Sequence, residues 1–199
     1  MKIAIIAITR NGARLGARLR SGLGNAELHV LQKYRGEAGK HSLPFSGELH
    51  ELVQQLWPEV EGLVFIMATG IVVRVIAPLL AGKETDPAVV AMDDTGKFAI
   101  SLLSGHLGGA NELASRCAFV TGAREVITTA TDANDLPSFD MLAKDHGWEI
   151  EDLSRVKQLN SLLLDDEEIA VTDNTGLVRP YFHGRGRLVF HDTFVAALR

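Results

Sequence analysis

Much that would assign a chemistry at sight is missing from this chain. It has a single cysteine, Cys117, which excludes an intrachain disulfide framework and fits a reducing cytosol. It has no excess of positive charge: the net charge is −5, so a general nucleic-acid field is absent and no nucleic-acid partner is expected. No uninterrupted apolar run spans a bilayer. Residues 63–81 come nearest. Arg74 stands in the middle of that run, where a charge costs about 2.5–3.5 kcal/mol on insertion scales. Pro78 and the Ala68-Thr69-Gly70 break interrupt it further. The opening run, residues 1–6, is too short and too strand-like for a signal peptide. A cytoplasmic protein without a membrane partner is expected. The common cofactor motifs are absent as well. No GxGxxG spacing occurs, no Lys-Ser/Thr pair completes a Walker loop, and no serine sits in a GxSxG elbow. The first part of the chain has no pair of histidines at metal-ligand spacing, and no metal site is expected. A nucleotide enzyme, a zinc hydrolase and a serine hydrolase are therefore poorly supported. Internal repeats and low-complexity tracts are absent too.

What is present is alternation. At 199 residues and 46% hydrophobic, the chain can bury a real core as one domain or two small ones. Residues 3–8 form a continuous apolar run rich in β-branched isoleucine, as expected for a strand buried on both faces. Thr9-Arg10-Asn11-Gly12 then turns into a helix stopped by Gly22 and Gly24. Residues 27–31 and 63–67 read as further strands. Leu49, Leu52, Val53, Leu56, Trp57 and Val60 repeat at helical spacing, and residues 71–80 follow as another helix. Residues 88–92 and 98–103 form a hairpin through Asp93-Asp94-Thr95-Gly96. Ala110, Leu113, Ala114, Cys117 and Ala118 make one helical stripe, and a strand is expected at residues 126–129. The pattern predicts an α/β fold with a mainly parallel open sheet flanked by helices. After Ala130 the composition shifts. Two short helices and two short strands predict a second, smaller α/β module, with domains at residues 1–131 and 132–199.

The most informative stretch is Ser104-Gly105-His106-Leu107-Gly108-Gly109-Ala110-Asn111-Glu112, between a strand and a helix. Its glycines permit a sharp turn and close approach to a ligand. The helix start is expected to present unpaired amides that favour an anion. A histidine and a carboxylate supply titratable groups. Ligands of open α/β sheets bind beyond the C-terminal ends of the strands. That rule predicts convergence of Arg10, Thr69, His106, Asn111 and Asp132 on one crevice. Each residue also has a plainer explanation. His106 can hold a turn, Glu112 can pair with Arg116 one helical turn on, and Asn111 can cap the helix. Arg74 either snorkels from its helix or grips a carboxylate. Asp132, Asn134 and Asp135 read more simply as helix caps than as metal ligands. Cys117 falls on the apolar stripe.

Four runs carry a resemblance. Ala68-Thr69-Gly70-Ile71-Val72-Val73-Arg74, Thr85-Asp86-Pro87-Ala88-Val89-Val90, residues 101–114 and Ile127-Thr128-Thr129-Ala130-Thr131-Asp132 resemble CbiG, the cobalt-precorrin 5A hydrolase family of anaerobic cobalamin biosynthesis. The match is specific over residues 60–135, looser in the first forty residues, and residues 136 onward resemble the family's middle module. Family members carry a further C-terminal domain, and a separate polypeptide of that kind is a candidate partner. The resemblance implies hydrolytic opening of a δ-lactone on a cobalt tetrapyrrole, with release of acetaldehyde. The cobalt travels with the substrate, so no resident cofactor is expected. From the chemistry of the residues, His106 is the first candidate for the general base and Glu112 the second. The substrate-binding candidates are Arg10, Thr69, Gly70, Arg74, Ser104, Gly105, Gly108, Gly109, Asn111, Thr131 and Asp132. The alternatives are a non-catalytic tetrapyrrole carrier acting with a partner, and an unrelated anion-binding regulatory domain.

Overall fold

The computed structural model describes residues 1–82 and 85–193, which divide into two compact units, Met1–Ile127 and the chain from Thr128 onward. In the first unit the elements run β1 (Ile3–Ala7), α1 (Arg10–Leu23), β2 (Ala26–Leu31), α2 (Arg35–Ala38), β3 (Leu43–Phe45), α3 (Leu49–Leu56), β4 (Gly62–Ile66) and α4 (Thr69–Ile76). They continue with β5 (Ala88–Met92), β6 (Phe98–Leu103), α5 (Ala110–Thr121) and β7 (Arg124–Val126). The seven strands order as β3-β2-β1-β4-β5-β6-β7. β1 to β5 are mutually parallel where they pair, whereas β6 runs antiparallel to β5, and β7 runs parallel to β6.

Alternation along the central strands supplies two cores. Ile3, Ile5 and Ala7 of β1, with Val64, Ile66, Val90 and Met92, pack against Leu19 of α1 and Leu113 and Cys117 of α5. The intervening residues Ala4, Ile6, Leu63, Phe65, Val89 and Ala91 pack against Val53 of α3 and Val72 and Ile76 of α4. The sheet is thus sandwiched, and β1, β4 and β5 are buried from end to end. Right-handed crossovers explain the sides. The chain steps outward through α1, then back across β1 through α3, which sends α3 and α4 to the opposite face. Reversal of β6 sends its crossover helix, α5, back to the face of α1. The apolar stretch weighed above as a bilayer span resolves into β4, α4 and a short 3-10 turn, Ala77–Leu79. Among the described residues no helix is long and apolar enough to cross a membrane.

The second unit contains α6 (Ala130–Ala133), α7 (Phe139–His146), α8 (Leu153–Leu164), β8 (Glu168–Val171), α9 (Val178–Phe182) and β9 (Arg187–Phe190). β8 and β9 pair in parallel, from Glu168↔Arg187 to Val171↔Phe190. Leu142, Leu163, Ile169, Val178 and Phe182 form its core. Ser138 and Asp152 cap α7 and α8 through Met141 N and Ser154 N.

Candidate functional site

Because β6 is reversed, the first unit presents two separate polar edges. At the carboxyl edge, where β1, β4 and β5 end, lie the starts of α1 and α4 and the turn between β5 and β6. Thr9 caps α1: its Oγ1 accepts the Gly12 amide at 3.0 Å and donates to Asp94 Oδ2 at 3.2 Å. Asp93 holds the turn, accepting the amides of Thr95, Lys97 and Phe98 at 3.1, 2.9 and 2.8 Å and the Thr95 hydroxyl. Burial pushes its carboxyl up, but these hydrogen bonds together outweigh it and hold the group below the usual carboxylate range. A cavity of about 430 Å³ opens here between Thr9, Thr69, Asp94, Ile71 and Phe98. Arg10, at the start of α1, is exposed and lies 3.5 Å from Glu37, which also takes Arg14 at 2.7 Å.

At the opposite edge, where the parallel strands begin, β6 delivers the glycine turn. Ser104 adopts φ 59°, the left-handed region that a serine seldom occupies. Its hydroxyl donates to the Asp86 carbonyl at 3.1 Å. The Asp86 carboxylate in turn accepts the Ala81 and Gly82 amides at 3.0 and 3.2 Å. The buried Asp86 therefore ties the loop after α4 to the glycine turn. Gly108 lies so close to Ser104 that a Cβ there would stand 2.4 Å from the serine Cβ. Gly109, at φ 88°, occupies the N-cap of α5. Asn111 sits one residue inside the helix, and its Oδ1 accepts the Ser101 hydroxyl at 2.7 Å. His106 is half-buried and its carbonyl accepts the Gly109 amide at 2.9 Å. Glu112 is exposed in the first turn of α5.

Several expectations change. The predicted convergence on one crevice is corrected: within the first unit, Arg10, Thr69 and Gly70 stand at the carboxyl edge, whereas Ser104, Gly105, His106, Gly108, Gly109, Asn111 and Glu112 stand at the other. Five-residue strands rising about 3.3 Å per residue put roughly 17 Å between the two edges. A hairpin inside a parallel sheet forces this, since its second strand must leave where its first began. Of the amides expected to be unpaired at the start of α5, two are corrected. Ala110 N and Asn111 N donate to the Ser104 and Gly105 carbonyls, each at 3.0 Å. Arg116 donates to the Leu23 carbonyl at 2.9 Å, and no ion pair joins it to Glu112 among the described residues. Asn111 does not cap the helix; Gly109 does. Arg74 is exposed on α4. Thr131, buried, and Asp132, exposed, belong to α6 of the second unit. Among the described residues no group of three or more His, Cys, Asp or Glu could hold a metal ion. Reading by residue type passed over Asp86 and Asp94. The Asp-Pro step before β5 and the paired aspartates of the hairpin turn were their only local signals.

Comparison with known proteins adds an independent finding. The family profile described as cobalamin synthesis G N-terminal matches residues 51–132, and that of the cobalamin biosynthesis central region matches residues 137–199. The chain belongs to the CbiG family. It is 38% identical to the cobalt-precorrin-5A hydrolase of Priestia megaterium over 87% of this chain and 47% of that one. With its Salmonella typhimurium counterpart it shares 40% identity over 85% of this chain and 47% of that one. The chain thus spans about half the length of the curated relatives it matches. A crystal structure of a cobalamin biosynthesis protein G homolog from Sulfolobus solfataricus has the same fold, with a TM-score of 0.50 at 23% identity. That likeness covers 86% of this chain and 48% of the other.

Proposed function

We propose that this chain opens the δ-lactone of cobalt-precorrin 5A and releases acetaldehyde, acting in the cytoplasm in anaerobic cobalamin biosynthesis. The observation that carries this is the succession of the two family matches along one chain, with 38–40% identity to curated hydrolases over most of its length. In the proposed reaction one water adds to the lactone carbonyl, and the ring C–O bond breaks to leave a carboxylate and an alcohol. The alcohol then loses its proton and becomes the aldehyde carbonyl as its bond to the macrocycle breaks. The released electron pair enters the conjugated ring, which takes up a proton. Cobalt stays with the substrate throughout.

The chemistry is assigned to the edge bearing the glycine turn. His106 would take the proton from water, a task for which an imidazole is suited, and Glu112 is the second candidate. Ser104, Gly105, Gly108 and Gly109 shape the turn against which the substrate periphery would lie. Asn111, fixed through Ser101, would face the developing oxyanion with its amide. Arg74 would pair with a substrate carboxylate, and Thr131 and Asp132 are substrate-binding candidates of the second unit by itself. Arg10, Thr69 and Gly70 fall outside this edge and are not part of the proposed lactone site. The chain matches about half the length of its relatives, and the second reading is a non-catalytic tetrapyrrole-binding or carrier module that acts with a partner. The test is acetaldehyde release from anaerobically prepared cobalt-precorrin 5A, with mass analysis of the macrocycle. Loss of the two-carbon unit supports the hydrolase. Binding without release supports the carrier, and neither binding nor release removes both.

A further inference from the structure

Ser104 closes the glycine turn from within and ties it to the neighbouring strand. The pairing of β5 with β6 shifts register between Val89 and Val90, which leaves Leu102 as an extra residue on β6. It then stops at Val89↔Leu103. Ser104 comes next, in left-handed backbone at φ 59°, a conformation that persists only where its surroundings hold it. Its carbonyl accepts the Ala110 amide at 3.0 Å, and a Cβ on Gly108 would stand 2.4 Å from its own. The loop bearing His106 is therefore closed against Ser104 at its far end. Outward, the Ser104 hydroxyl donates to the Asp86 carbonyl at 3.1 Å. That bond joins the chain leaving β6 to the chain entering β5, where the ladder between them has ended.

Asp86 holds that carbonyl in place from several sides. Its buried carboxylate accepts the Ala81 and Gly82 amides at 3.0 and 3.2 Å, and its own amide donates to the Gly82 carbonyl at 2.8 Å. Pro87 follows and disfavours helical backbone at Asp86. The aspartate thus fixes a short loop whose one outward task is to offer Ser104 an acceptor. We infer that Asp86 is a positioning residue of the proposed lactone site, an inference that rests on the hydrolase reading of this edge. By fixing its carbonyl it sets Ser104, and through Ser104 the turn that carries His106. A base displaced by about 1 Å reacts far more slowly, so the loss on removing the carboxylate falls on kcat rather than on KM.

The test compares acetaldehyde release from cobalt-precorrin 5A, and amide hydrogen exchange, in the intact 199-residue chain and in variants with native far-UV ellipticity. Asp86→Ala should lower kcat by roughly tenfold to a hundredfold, with KM within about twofold of the parent. Asp86→Asn keeps one acceptor and should recover part of the loss. Ser104→Ala removes the bond without touching the Asp86 loop and should reproduce it. The double variant should then be no worse than the poorer single one. Should Asp86→Ala not fold, Asp86→Asn and Ser104→Ala carry the same comparison. Exchange at Ala110 and Asn111, whose amides the Ser104 and Gly105 carbonyls accept, should quicken in the variants while β1 stays protected. A parental kcat in the folded variants overturns the inference, as do losses that multiply in the double variant. If the parent itself releases no acetaldehyde, the hydrolase reading fails and exchange alone decides. Unchanged protection at Ala110 and Asn111 then overturns the positioning, and quicker exchange there upholds it.

Discussion

Gly108 has no room for a side chain. A Cβ there would lie 2.4 Å from the Ser104 Cβ and 2.7 Å from its carbonyl oxygen, which already accepts the Ala110 amide. Gly108→Ala should therefore cost about 1–3 kcal/mol in urea unfolding. Gly70, by contrast, has nothing within 4 Å of a built Cβ, and Gly70→Ala should stabilise by about 0.4–1 kcal/mol. Equal stability of the two variants would defeat this steric account. His106→Ala, on the proposed mechanism, should slow acetaldehyde release by about 10²–10⁴-fold with the fold retained in far-UV circular dichroism. Turnover near the parent rate would remove His106 from the chemistry. His29 supplies the pH dependence. It is buried on β2, its Nε2 has no hydrogen-bond partner, and the nearest carboxylate oxygen, on Glu27, is 3.9 Å away. Burial lowers its pKa below the usual 6.5, and the Glu27 charge offsets this only in part. The unfolded chain then binds the proton more readily, so stability is full above pH 6.5 and falls as pH drops through the folded pKa. Urea melts of His29→Phe between about pH 5 and 8 should show a flatter dependence than the parent. An identical slope would place the acid sensitivity elsewhere.

At the scale of elements, helix and strand identities were largely legible. α1, α5 and β1 read directly from stripe, run and stop signals, because burial periodicity and capping are local properties. Thr9 is a case in point: it lies in extended backbone before α1 and its hydroxyl takes the Gly12 amide. Thr9→Ala should cost about 1 kcal/mol, and Thr9→Ser should recover most of it, by chemical denaturation. A full-cost serine variant would assign the loss to the methyl group instead. The elements that escaped are short or carry proline. β3 is three residues with Pro44 at its centre, tolerable on a sheet edge where a missing donor is harmless. α9 is five residues around Pro180. β7 was expected at residues 126–129, where apolar character is greatest, but it pairs from Arg124. α5 ends at the left-handed Gly122, and the chain enters the sheet two residues later.

The whole molecule comprises two units with cores of their own. Residues 1–127, expressed alone, should therefore unfold in one cooperative transition with native near-UV ellipticity. A molten fragment would show that the first unit needs the rest of the chain. The chain's family and its alternation of strands and helices were determined by sequence, since motif, periodicity and stop signals need no knowledge of distant partners. The hairpin at Asp93–Gly96 was visible as well. Only the tertiary structure decided what that hairpin does inside a parallel sheet. By reversing β6 it moves the glycine turn to the edge opposite Thr9 and Thr69, and it sends α5 to the face of α1. The fate of the helix-start amides was decided in the same way, because Ser104 and Gly105 fold back to accept them. Strand direction and amide partners depend on which segments meet in space, and local spacing carries no record of that.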